Sequence, residues 1–66
     1  MANVCVTVLN KDGESVKYNN VTLLELRAYD DRNSVLLIDG CNENGDKIET
    51  KFEIWQISDL MIEELN

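Results

Sequence analysis

The chain has 66 residues, a formal charge of −7, no histidine and no proline, a size for one domain that buries only about 60% of the surface its unfolded form exposes. A hydrophobic content of 44% suits a globular fold rather than a disordered or collagen-like one. The longest apolar run, Val35 to Ile38, falls far short of the roughly 20 residues that cross a bilayer.

The charge is uneven. From Asp39 onward, Asp39, Glu43, Asp46, Glu49, Glu53, Asp59, Glu63 and Glu64 face only Lys47 and Lys51, a net of −6. Binding to nucleic acid needs cations that displace counterions from phosphate, so this acidic field works against direct contact with DNA or RNA. It works against anionic membrane surfaces for the same reason. The start, Met1-Ala2-Asn3-Val4-Cys5, lacks a basic flank followed by a long apolar stretch, so a cytoplasmic location is expected. In that reducing setting Cys5 and Cys41 are expected as free thiols that pack as small apolar side chains.

In chain order, Asn3 to Leu9 alternates Val4, Val6 and Val8 with Cys5, Thr7 and Leu9, a β-branched run at period two that predicts a strand. Asn10-Lys11-Asp12-Gly13-Glu14 follows as a hairpin, because Asp-Gly tolerates the positive φ a tight turn demands. The chain returns through Ser15 to Tyr18, and Asn19-Asn20 allows a corner or bulge before Val21 to Tyr29. That segment is contested. Leu23, Leu24, Glu25, Leu26, Arg27 and Ala28 are good helix formers, and Thr22 with Glu25 fits a capping box. Against helix, Leu24, Leu26 and Ala28 alternate with Glu25, Arg27 and Tyr29, and strand is the favoured reading.

Asp30-Asp31-Arg32-Asn33 reads as a turn into a strand from Ser34 to Cys41, apolar on both faces as a central strand would be. Asn42-Glu43-Asn44-Gly45-Asp46 is a second glycine-bearing hairpin. The next strand, Lys47 to about Ile57, sets Ile48, Thr50, Phe52 and Ile54 against Lys47, Glu49, Lys51 and Glu53, one face buried and one wet. The pattern then slips at Trp55: either a bulge re-aims the strand or Trp55 is exposed. Ser58-Asp59-Leu60 reads as a turn, with Met61 to Leu65 as a short closing strand; a last helix capped by Ser58 is the alternative.

The two halves, about 4–29 and 34–65, look like variations on one unit: strand, hairpin, strand with an aromatic, corner, strand. Tyr18 in the first corresponds to Phe52 in the second, and both fall on the apolar side of their strands. A single all-β domain is expected, a five- to six-stranded meander closing into a small barrel or sandwich, with one short helix or turn near 58–60.

The chemistry is limited by what is missing. Without histidine no Ser-His-Asp or Cys-His arrangement can be built, and two thiols fall short of a zinc site. The loop 42–46 lacks the carboxylate register of a calcium loop, and no glycine-rich phosphate loop exists. Asp30-Asp31 and Asp39 are explained as a turn and a strand end rather than as a glycosidase-like pair. No enzyme, cofactor or metal is therefore expected. What remains is surface. Trp55, Tyr29 and Leu23 fall on the nominally polar faces of their strands beside Glu25, Arg27, Glu49 and Glu53, and aromatics ringed by charge make up interface hot spots. The candidate partner-binding residues are Trp55, Glu53, Glu49, Tyr29 and Glu25, with Glu43 and Asp46 from the acidic hairpin. Trp55 as a core residue is the competing interpretation.

Thr50, Phe52, Ile57 and Leu60, in the pattern Thr-x-Phe-x-x-x-x-Ile-x-x-Leu, resemble the end of WYL domains, where such a segment builds part of an Sm-like barrel. The Trp-Tyr-Leu signature of that family is absent, with Asn33-Ser34-Val35 and Leu36-Leu37-Ile38 in its place. The resemblance implies the barrel and a small-ligand or nucleic-acid sensing role. In size and acidity the chain is similar to small phage-encoded anti-CRISPR inhibitors, which implies an inhibitor or adaptor of a basic, nucleic-acid-handling protein. A homo-oligomeric subunit that pairs edge strands is a further alternative.

Overall fold

The computed structural model describes residues 3–30 and 33–65. Five strands, β1 (Asn3–Asn10), β2 (Ser15–Ala28), β3 (Ser34–Cys41), β4 (Lys47–Glu53) and β5 (Ile57–Leu65), form one antiparallel sheet in the order β4-β3-β2-β1-β5. The fold is all-β, and among the described residues its only helical element is a 3-10 turn over Ile54–Gln56.

The sheet is organised around β2, whose two halves have different partners. Ser15 to Tyr18 pair with Leu9 to Val6 of β1, whereas Leu23 to Ala28 pair with Asp39 to Ser34 of β3. Between them the register shifts, and Asn20 takes φ of +50°, a left-handed backbone that asparagine tolerates better than most residues. The Asn19-Asn20 corner is thus a bulge within one long strand, which is why the described residues form five strands rather than six. Gly40 makes the crossing possible. A Cβ there would stand 2.9 Å from the Asn19 carbonyl oxygen and 3.3 Å from the Tyr18 Cβ.

The two hairpins use the same turn. In the first, Asn10 N–H donates to the Glu14 carbonyl (2.9 Å), and the Asn10 Oδ1 accepts from the Asp12 and Glu14 N–H groups (both 3.0 Å). In the second, Asn42 N–H donates to the Asp46 carbonyl (2.9 Å), and the Asn42 Oδ1 accepts from the Asn44 and Asp46 N–H groups (both 2.9 Å). Gly13 and Gly45 supply φ of +89° and +85°. The side chain of the asparagine satisfies the loop donors that a tight turn leaves unpaired.

The core sits on the concave side of the sheet. Val6, Val8, Tyr18, Leu36 and Ile38 are buried together, with Val4, Val21, Ile48, Phe52, Ile57 and Leu60 packed against them. The Tyr18 and Phe52 rings meet edge to face at 6.3 Å and 89°. The sheet curls around this cluster without closing into a barrel, so β4 and β5 remain edge strands.

Two expectations need correction. The run 58–60 is neither helix nor turn: β5 begins at Ile57 and pairs with β1 from Asn10 to Asn3. The helical turn comes earlier, at 54–56, and ends the strand expected to reach Ile57 at Glu53. The reason is pairing. Val4, Val6 and Val8 present a long apolar strand that needs a partner along its full length, and Glu64, Ile62 and Leu60 supply it. The segment Val21 to Ala28, for which helix was the competing reading, is extended because its alternation matches β3. The centre of the expected Asp30–Asn33 turn, Asp31 and Arg32, lies outside the described residues; around it, Asp30 Oδ1 accepts from the Asn33 N–H (2.8 Å).

Candidate protein-interaction site

The ladders of β2, β3 and β4 fix which side chains share the convex face. Leu36 and Ile38 point inward, so the alternate residues of β3 point outward, and register carries their neighbours with them. Three rows cross the face: Leu23, Asp39 and Glu49; Glu25, Leu37 and Lys51; Arg27, Val35 and Glu53. Half-buried Val35 and Leu37 run down the middle with charged side chains on both sides.

At the Val35 end of this face stand the two exposed aromatics. Trp55 is 60% exposed and Tyr29 65%. The 3-10 turn lifts Trp55 out of the β4 alternation, and its indole N–H donates to Glu53 Oε2. Arg27 bridges toward the other aromatic. Its Nε lies 3.2 Å from Glu25 Oε1, and hydrogen bonds to Glu25 first and then to Tyr29 hold its guanidinium above its ordinary pKa. Beside Trp55 a cleft of about 330 Å³ opens between the first hairpin and the 3-10 turn, lined by Asn10, Lys11, Asp12, Phe52, Trp55 and Gln56. The Lys11 N–H donates to the Gln56 carbonyl (2.9 Å) and ties the two walls together.

Of the residues singled out from the sequence, Trp55, Glu53, Glu49, Tyr29 and Glu25 come to this one convex face. Glu43 and Asp46 do not join them: they lie in the β3–β4 hairpin, beyond the Cys41–Lys47 pair at the opposite end of the ladder. Asp46 is a turn residue whose backbone and carboxylate both bond to Asn42. Sequence reasoning left Arg27 and Lys51 out of the site, although both share the parity of Glu25 and Glu53. It also missed Lys11 and Gln56, for which no local signal exists, since only the β1–β5 pairing brings them together.

Other chemistry is sparse. Cys5 is buried and donates its thiol to Asn19 Oδ1 (3.3 Å), Cys41 pairs with the same Asn19 from β3, and both thiols are free. Among the described residues, no group of three or more cysteines, aspartates or glutamates is placed to hold a metal ion, and no helix is long and apolar enough to cross a membrane. No protein-family model matches this sequence, and no curated protein or solved structure matches it either.

Proposed function

We propose that this chain is a small acidic protein-binding module, an inhibitor or adaptor of the kind phage and other mobile elements encode against basic, nucleic-acid-handling proteins. The observation that carries the reading is the pair of exposed aromatics, Trp55 and Tyr29, at one end of a carboxylate-rich face. A rigid sheet presents Glu25, Glu49 and Glu53 without the entropy cost of ordering a loop on binding. Exposed Trp and Tyr give such a face the apolar anchors that dominate interface energetics, and the acidic surround steers a basic partner toward it.

Affinity capture from a lysate of the natural host, with wild type and Trp55→Ala compared, tests this. The wild type should retain a basic nucleic-acid-handling protein, and binding should weaken steeply as salt rises. Trp55→Ala should keep its far-UV circular dichroism spectrum and lose about 2 kcal/mol of affinity or more, roughly thirtyfold. Capture that is indifferent to both salt and Trp55 removes the basis of the reading.

A further inference from the structure

The second half of β2 has a strand on one side only. β1 leaves it at Tyr18, and β3 pairs with it from Leu23 to Ala28. At the corner the Asn3 Oδ1 takes the Asn20 N–H (3.0 Å). Beyond the corner, among the described residues, no strand pairs with the opposite edge. This edge is apolar on its core side. Leu24 and Leu26 stand opposite buried Ile38 and Leu36, yet they are 38% and 62% exposed. An open, apolar strand edge is a template for pairing with another strand.

We propose that this edge pairs with itself in a second copy of the chain, antiparallel about a two-fold axis through Leu26. The sequence Leu23-Leu24-Glu25-Leu26-Arg27-Ala28-Tyr29 is self-complementary in that register. Glu25 falls opposite Arg27 of the second copy, and Arg27 opposite its Glu25. On the core side, Leu26 meets Leu26, and Leu24 meets Ala28. On the convex side, Leu23 meets Tyr29. The Glu25–Arg27 ion pair now made within one strand is exchanged for two pairs across the axis. Sliding by two residues in either direction sets Glu25 against Glu25 or Arg27 against Arg27, and a slide of one would turn the apolar set to the wrong face. The charges thus select one register.

A second copy fits this edge better than it fits the others. β5 carries Asp59, Glu63 and Glu64 and no cation, so two β5 strands would oppose carboxylates. β4 is also mirror-symmetric in charge, Lys47 to Glu53 and Glu49 to Lys51, but its core-side Ile48, Thr50 and Phe52 are already half-buried and pairing would cover little new apolar surface. At the second half of β2 the local charge is zero, so the −7 of each copy is carried mostly elsewhere. A closed two-fold dimer follows, with the β4-β3-β2 ladders of both copies joined in one sheet.

Sedimentation velocity of the full chain over a concentration series tests this. The wild type should be dimeric, and Leu26→Lys, which sets two ammonium groups against each other on the axis, should give a monomer with an unchanged circular dichroism spectrum. Glu25→Lys alone and Arg27→Glu alone should each dissociate the dimer, and the double variant Glu25→Lys/Arg27→Glu should restore it. Lys51→Glu and Trp55→Ala should leave it intact, which separates this edge from β4 and from the Trp55 end of the partner-binding face, with which the edge shares Glu25 and Tyr29. A wild type that is monomeric at every concentration, a dimer that survives Leu26→Lys, or one lost on Lys51→Glu overturns the proposal.

Discussion

Tyr18 brings a hydroxyl into a core otherwise built from Val6, Val8, Leu36 and Ile38. Burial pushes its pKa above 10.0, and a hydrogen bond with Thr50 pulls part of that back. The phenolic proton is therefore held more tightly in the folded than in the unfolded chain. Its contribution to stability is complete below the unfolded pKa near 10 and is lost as pH rises through the folded value. Tyr18→Phe should therefore show a shallower decline in stability above pH 10 in urea melts. An unchanged alkaline slope would mean that the phenol does not titrate against folding. The inward side of Tyr18 was legible from period-two alternation, as was that of Phe52. The outward side of Trp55 was legible only as one of two outcomes, because alternation predicts faces within a strand and fails across the 3-10 turn where Trp55 sits.

At the scale of elements, local chemistry decided most of what is present. Both hairpins follow from Asn-x-Asp-Gly and Asn-x-Asn-Gly, since the asparagine side chain and the glycine φ together specify the turn. The β1 range follows from its β-branched alternation, and the β3 range from a short apolar run bounded by two turns. The second half of β2 shows tertiary pairing overriding helix propensity, a difference of only tenths of a kcal/mol per residue against a full ladder of hydrogen bonds. The role of Gly40 was hidden, because its reason lies on another strand. Gly40→Ala should destabilise the fold by about 1–3 kcal/mol, since the added Cβ meets the Asn19 carbonyl at 2.9 Å, a backbone atom that cannot swing aside. Thermal melts measure this. A substitution without cost would show that the corner can relax.

For the whole molecule, the all-β class was legible and its closure was not. Alternation says which residues face inward, but whether a five-stranded sheet meets its own far edge depends on how sharply β2 bends. That bend is set at Asn19-Asn20 and Gly40 rather than by any run of residues. The convex face was readable in part for the same reason: parity placed Glu25, Glu49 and Glu53 on outward positions, while their rows across three strands required the register.

The twin asparagine-glycine turns also order events in time. Each hairpin brings together residues near one another in the chain, so β1 with β2 and β3 with β4 close at little loop entropy, whereas β1 with β5 joins Asn3 to Leu65 across nearly the entire chain. In stopped-flow experiments Asn42→Ala should therefore slow refolding, and Leu60→Ala in β5 should chiefly speed unfolding. The reverse pattern would place the joining of the chain's two ends before the turns. In the expected order, β5 docks last and is the strand first released to proteases.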